Sequence, residues 1–156
     1  MILSGRHKRL MQYAIRRANQ APMQKFRLGC VIAKGRDVIS SGVNNMGKTH
    51  PRAIDYDYPF VHAELDAMIG VDAEELRGSY VYVARRRVGV GGSKENPSKV
   101  GMAKPCSYCL EQMRKHGLKG VFYTTYDNQA EYMDLRYYES KRVERVLGTN
   151  RSTRRF

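Results

Sequence analysis

The sequence predicts an α/β fold three layers deep, with a central mixed sheet carrying helices on both faces. Three observations predict it. An N-terminal stretch spaces its apolar residues as a helix does, two short β-branched runs read as a hairpin, and later strands and helices alternate in a way that requires parallel pairing. At 156 residues the chain is most simply one domain able to bury its own core, and a hydrophobic fraction of 42% excludes disorder throughout.

The first element runs from Ser4 to Asn19. Leu10, Met11, Ala14, Ile15 and Ala18 share one stripe, while Arg6, Lys8, Arg9, Arg16 and Arg17 lie largely elsewhere, so this amphipathic helix should cover one face of the sheet. After the break at Pro22, Leu28 to Ala33 and Val38 to Val43 are strands joined by Lys34-Gly35-Arg36-Asp37, an antiparallel hairpin. Phe60, Val61, Leu65, Met68 and Ile69 give the apolar spacing of a helix that Gly70 ends. Tyr80 to Ala84 is the next strand. Arg85 to Lys104 is the least regular stretch, with three arginines, Gly89, Gly91, Gly92 and Pro97, and reads as an insertion loop rather than a domain boundary. Its glycines do not match G-x-x-x-x-G-K-[ST], which argues against a phosphate-binding loop of that kind. Cys106 to His116 is a helix stopped by Gly117, and Val121 to Thr125 a strand. From Asp127, an N-cap, to Leu147 the pattern is mostly helical, with Gly148 as its end; Thr149 to Phe156 is a basic flexible tail.

Chemistry concentrates in two separated motifs, His62-Ala63-Glu64 and Pro105-Cys106-Ser107-Tyr108-Cys109. One imidazole and two thiolates can bind Zn²⁺ tetrahedrally and keep the fourth position for water, which distinguishes a catalytic from a closed structural zinc. Cys106 and Cys109, three apart at a helix start, present both sulfurs on one side, and the positive end of the helix dipole favours thiolates. Glu64 is two residues from His62, so both face one metal only if His62 enters from the capping region. Taken singly, His-x-Glu is common, and Cys-x-x-Cys also serves as a redox pair or as half of a structural zinc site. A four-cysteine site is impossible with three cysteines. A redox pair and a three-ligand catalytic zinc remain, and the second is favoured because both halves stand at helix starts.

H-x-E followed by P-C-x-x-C is the recognised signature of zinc deaminases. From about Leu28 to Thr125 the chain resembles the cytidine deaminase-like superfamily, in the branch of deoxycytidylate and tRNA adenosine deaminases. The resemblance implies a three-layer α-β-α fold with a mixed sheet of about five strands. Four are placed above; the fifth, which members usually have after the fourth, has no stretch assigned. It implies a deaminase domain over residues 1–148 with the insertion at about 85–104, zinc held by His62, Cys106 and Cys109, and Glu64 as the proton carrier. Asn44, in Gly42-Val43-Asn44-Asn45-Met46-Gly47, would hydrogen-bond the sugar or base, although Asn and Gly are also what plain turns use. Lys48, His50 and Arg52 lie in a polar stretch ahead of His62, longer than the tRNA-type enzymes have there, and either bind phosphate or are ordinary surface. No organic cofactor is needed.

The expected reaction is hydrolytic deamination, with ammonia released from a base amine. The first substrate is cytosine in a nucleotide such as dCMP; the second is cytosine or adenine in single-stranded DNA or tRNA. A third reading is a catalytically silent, zinc-containing nucleic-acid-binding protein, against which Glu64 argues. The 28 Lys and Arg against 15 Asp and Glu, net charge +13, draw in anions without distinguishing a nucleotide from a polynucleotide. Three cysteines, two as ligands and Cys30 as a small apolar strand residue, fit a reducing compartment. No apolar run approaches a membrane span and the N-terminus is too polar for a signal peptide, so a cytoplasmic protein with no membrane partner is expected, monomeric or homo-oligomeric.

Overall fold

Strands β1 (Phe26–Lys34) and β2 (Asp37–Val43) form the expected antiparallel hairpin, turning at Gly35, whose φ of 64° suits a residue without Cβ. The computed structural model describes residues 3, 5–23, 26–45, 47, 61–87, 100–126 and 129–136. Helix α1 is Gly5–Ala18, α2 is Ala63–Met68, α3 is Ala73–Leu76 and α4 is Ser107–Lys115; strands β3 (Tyr80–Arg87), β4 (Val100–Gly101), β5 (Gly120–Thr124) and β6 (Ala130–Asp134) complete the set. They join one six-stranded sheet ordered β2-β1-β3-β5-β6, with β4 paired to β3 off that path. The β3 to β5 pairing is parallel and the others are antiparallel, which makes the sheet mixed.

Period-two alternation divides the core into two layers. Val31, Ala33, Tyr82, Ala84 and Phe122 pack under Leu10, Met11 and Ala14 of α1. Cys30, Ile32, Val81, Val83 and Val121 pack on the opposite face under α2 and α4. Two glycines let the helices press close. A Cβ on Gly29 would strike the backbone of Ala14 and Ala18, and one on Gly42 would stand 2.5 Å from the Ala67 nitrogen and 2.7 Å from the Ala63 oxygen. Helix α2 is also pinned to β2 by Ser40 Oγ donating to the Ala67 carbonyl (2.7 Å) and by the Val43 N–H donating to Asp66 Oδ2 (3.0 Å).

The structure corrects three expectations. Arg85 to Arg87 belong to β3, because β1 extends alongside them and pairs Phe26 with Arg87, giving their backbone groups a ladder whatever the side chains prefer. Val100 and Gly101 return as β4 opposite Arg86 and Arg85, so the irregular stretch is shorter than 85–104 and the sheet gains a sixth strand; residues 88–99 lie outside the described residues. Over Ala130–Asp134 the helix expected from Asp127 is replaced by β6, antiparallel to β5, and helical backbone begins only at Leu135 and Arg136. There Ala130 and Tyr132 pack toward the α1 layer and Met133 toward the other, a period of two that pairing with β5 imposes over five residues. Residues 137–156, with the remainder of that helix and the basic tail, lie outside the described residues.

The tight seat of α2 on β2 yields the first prediction. Gly42→Ala should lower unfolding free energy by about 1–3 kcal/mol through overpacking, read as a lower denaturant midpoint, whereas Val38→Ala on the exposed side of β2 should change it by less than about 0.5 kcal/mol. Equal midpoints for Gly42→Ala and the parent would show that the helix does not bear on that strand.

Candidate active site

The site forms at the end of the sheet where β2, β3 and β5 finish and β1 begins. The chain leaves β2 through Asn44 and Asn45, and Asn45 bridges to Val61, its N–H donating to the Val61 carbonyl at 3.0 Å. That bridge delivers His62 directly to the start of α2. Near β5, the Ala103 N–H donates to the Thr124 carbonyl (2.8 Å), and Thr124 Oγ1 donates to the Gly101 carbonyl (2.7 Å) while accepting from the Arg85 N–H (3.1 Å). These bonds lead the chain through buried Pro105 to the start of α4.

Both expected helix starts are present; two of the three candidate ligands stand at their caps, and Cys109 follows in the first turn of α4. His62 is the N-cap of α2 with extended backbone (φ −79°, ψ 155°), and Cys106 is the N-cap of α4 (φ −69°, ψ 166°). Extended geometry at the cap lets His62 turn toward the side that Glu64, one residue inside the helix, also faces. His62 Nδ1 lies 3.7 Å from Cys106 Sγ and 3.8 Å from Cys109 Sγ, and the three ligand atoms all lie within 4.8 Å of one another. A tetrahedral ion with Zn–S about 2.3 Å and Zn–N about 2.0 Å has an S···N edge of about 3.5 Å. The donor set and its spacing therefore fit zinc.

Electrostatics agree with this donor set. A hydrogen bond from the Cys109 side chain is the main influence holding the Cys106 thiol down at about 5; burial opposes it and His62 assists. Thiolate is the form a metal requires. Glu64 is 4% exposed, and burial, reinforced by the negative charge at Cys106 and opposed by His62, pushes its carboxyl up from 4.5 to about 7. Cys30 is fully buried and its thiol is raised well above its ordinary value, chiefly by burial, so it behaves as the apolar strand residue expected.

Asn44 stands at the same end of the sheet, 3% exposed. Its Oδ1 accepts from the Leu28 N–H (2.9 Å), and its Nδ2 donates to the Phe26 carbonyl (2.6 Å). One N–H and one oxygen lone pair of the amide remain beyond these two bonds. Lys48, His50 and Arg52 lie outside the described residues. Sequence reasoning missed Asp66, whose carboxylate anchors the ligand-bearing helix to Val43, and Thr124, which ties β3, β4 and β5 together. An aspartate among the apolar residues of α2 was the available signal for the first; a threonine ending a strand gives none.

A family model described as "Cytidine and deoxycytidylate deaminase zinc-binding region" matches residues 4–125. In structure the chain is similar to a cytidine deaminase from Burkholderia pseudomallei, at 18% identity and TM-score 0.56, over 83% of this chain and 92% of that one. It is also similar to a cytidine deaminase from Mycobacterium leprae (14%, TM-score 0.51, 86% and 98%). A third is the dCMP deaminase of cyanophage S-TIM5 in complex with dCMP and dUMP (15%, TM-score 0.51, 80% and 85%). At these identities the likeness is one of fold. Comparison with curated proteins gives no sequence match. Fold, donor set and family match together define a zinc-dependent hydrolase. The chain belongs to the cytidine and deoxycytidylate deaminases.

Two outcomes follow for the isolated protein. Elemental analysis should find about one zinc per chain, and Cys106→Ala should lose most of it together with thermal stability, because metal binding contributes folding free energy; full occupancy in that variant would remove Cys106 from the ligand set. In zinc-free protein, the raised Glu64 pKa means that the folded state holds a proton the unfolded state has lost between 4.5 and about 7. Stability from this group is complete below 4.5 and is lost as pH rises through 7. Glu64→Gln should therefore unfold at higher denaturant than the parent above pH 7, with the gap closing below pH 4.5; a pH-independent gap would contradict the assigned shift.

Proposed function

We propose that the protein deaminates cytosine carried on a nucleotide, such as dCMP, to the corresponding uracil nucleotide with release of ammonia. The observation that supports this most is the convergence of three candidate zinc ligands with a buried carboxyl, Glu64, two residues along the chain from His62 and within electrostatic reach of His62 and Cys106. A structural zinc site has no use for such a carboxyl. His62, Cys106 and Cys109 hold the metal, which when bound acidifies water and so supplies a nucleophile near neutral pH. Glu64 takes the proton from the water that attacks C4, delivers it to N3 of the ring, and helps the exocyclic amine leave as ammonia. Water thus contributes the carbonyl oxygen, and the C4–N bond breaks. Burial raises the Glu64 carboxyl in the metal-free site, which favours a group that can hold a proton as well as release one.

The remaining amide valences of Asn44 are assigned to the sugar or base, and Lys48 and His50 to phosphate. The family and the cyanophage relative's complex with dCMP and dUMP favour a cytosine nucleotide over other amines. A second reading, cytosine or adenine within single-stranded DNA or tRNA, is favoured by the net charge of +13. Three free cysteines support a reducing, cytoplasmic setting, and among the described residues no helix is long and apolar enough to cross a membrane.

Zinc-loaded protein offered a panel of free nucleotides and single-stranded oligomers, with uracil and hypoxanthine scored by mass, tests the choice. dCMP should be converted; hypoxanthine from adenine substrates alone would overturn the base assignment. Glu64→Gln should keep its zinc and lose on the order of 10²–10⁴ in turnover. Loss of zinc in that variant would make Glu64 a ligand, and near-normal turnover would remove it from the chemistry.

A further inference from the structure

Strand β3 changes partner partway along its length. Tyr80 to Val83 run parallel to Gly120 to Tyr123 of β5, and Arg85 and Arg86 run antiparallel to Gly101 and Val100 of β4. A seam therefore crosses the sheet where β5 ends and β4 takes over. Backbone groups at such a seam have left one ladder before entering the next, and buried ones still need partners. One side chain supplies them. Thr124, the last residue of β5, is 2% exposed. Its Oγ1 accepts from the Arg85 N–H (3.1 Å) and donates to the Gly101 carbonyl (2.7 Å). A hydroxyl can accept and donate at once, which neither a carbonyl nor an N–H could do at that place.

The seam lies on the route to the candidate metal ligands. Cys106 is only five residues beyond Gly101. Between them the Ala103 N–H donates to the Thr124 carbonyl (2.8 Å), and buried Ala103 joins the core cluster that holds Cys109, Leu110 and Met113. Pro105 then restricts the backbone just ahead of Cys106. Cys106 and Cys109 share α4, so any shift of this run carries both sulfurs together relative to His62. His62 hangs from a separate mount, through the bridge of Asn45 to Val61 and the bond from the Val43 N–H to Asp66. The gaps of 3.7 and 3.8 Å between His62 Nδ1 and the two sulfurs thus depend on two anchorages, one at the end of β2 and one at Thr124. The backbone bond from Ala103 needs no particular side chain at position 124. The two hydroxyl bonds do.

We infer that the Thr124 hydroxyl is a positioning group for the metal site: by closing the seam between β4 and β5 it sets how far the two cysteines stand from His62, and with that the affinity for zinc. Its action is indirect, through the residues from Gly101 to Cys106. Groups that orient metal ligands from outside the coordination sphere commonly govern affinity as well as activity. The inference rests on the zinc ligands of the deaminase reading and is independent of which base is deaminated.

Valine keeps the shape of threonine without its hydroxyl, and serine keeps the hydroxyl. Zinc affinity of the full chain, measured by competition with a chromophoric chelator, should fall roughly tenfold in Thr124→Val, the lower end of the effect of such outer groups, and stay near the parent value in Thr124→Ser. With cobalt(II) in place of zinc, the d–d and thiolate-to-metal absorption bands of Thr124→Val should differ from those of the parent, and Thr124→Ser should restore them. Leu10→Ala, in the core layer on the other side of the sheet, controls for a general loss of stability and should leave affinity and spectrum unchanged. Parent affinity or a parent spectrum in Thr124→Val, equal impairment in Thr124→Ser, or the same spectral change in Leu10→Ala would each overturn the inference. Parent protein also provides a test that needs no variant. Coupling is reciprocal, so zinc should slow hydrogen exchange at the Arg85 and Ala103 amides by more than at Val31 of β1; equal slowing at all three would refute the coupling. Cys106→Ala separates the two kinds of failure. If it keeps its zinc, the ligand assignment falls; if it loses zinc while Thr124→Val does not, only the role of the hydroxyl falls.

Discussion

Two helix starts held a few ångströms apart are the constraint on which the rest of the site depends. His62 caps α2 and Cys106 caps α4, so the ligands ride on backbone that has just left extended geometry. A helix start leaves N–H groups unpaired and carries partial positive charge. That charge acts in the same direction as the hydrogen bond from the Cys109 side chain, which holds the Cys106 thiol down. The close seat of α2 on Gly42, and the hydrogen bonds from β5 to the segment ahead of α4, fix the separation of the two starts. Packing on one face of the sheet is thus translated into ligand geometry at its end.

The same burial that builds the core tunes the chemistry. Glu64 sits in the first turn of α2 among Ala63, Leu65 and Ala67, all nearly inaccessible, and removal from water disfavours its charged form. Were that position on the solvated side of α2, the carboxyl would stay ionised at neutral pH and have little tendency to hold a proton. A helix too short to be stable alone is enough here, because Asp66 and Ser40 bind it to β2 and its apolar side chains join the larger core cluster.

Much of this was legible in the residues. The paired motifs, the capping entry of His62, the hairpin and the amphipathic α1 all depend on local spacing, and local spacing is what a sequence displays. Strand β6 was not legible, because five residues acquire their period of two only by lying against β5, while the neighbouring residues continue a helical pattern. The end of β3 was hidden for a similar reason. Three consecutive arginines look like solvated loop, and only the extension of β1 from Phe26 to Leu28 gives them a ladder. Asn44 was singled out by resemblance, yet its bonds to Phe26 and Leu28 show a second duty in joining β1 to β2. Long-range pairing decided each of these, and none leaves a mark within a short window.

The bridge between Asn45 and Val61 separates two kinds of freedom in this protein. Downstream of it, every step to His62 is set by backbone pairing and helix geometry. The intervening residues enter and leave through one clasp, and closing a longer segment costs only about 0.6 kcal/mol for each doubling of its length. Changes in the length or composition of that segment are therefore insulated from the metal ligands. A designer can change the segment between Asn45 and Val61 without moving the backbone that presents His62.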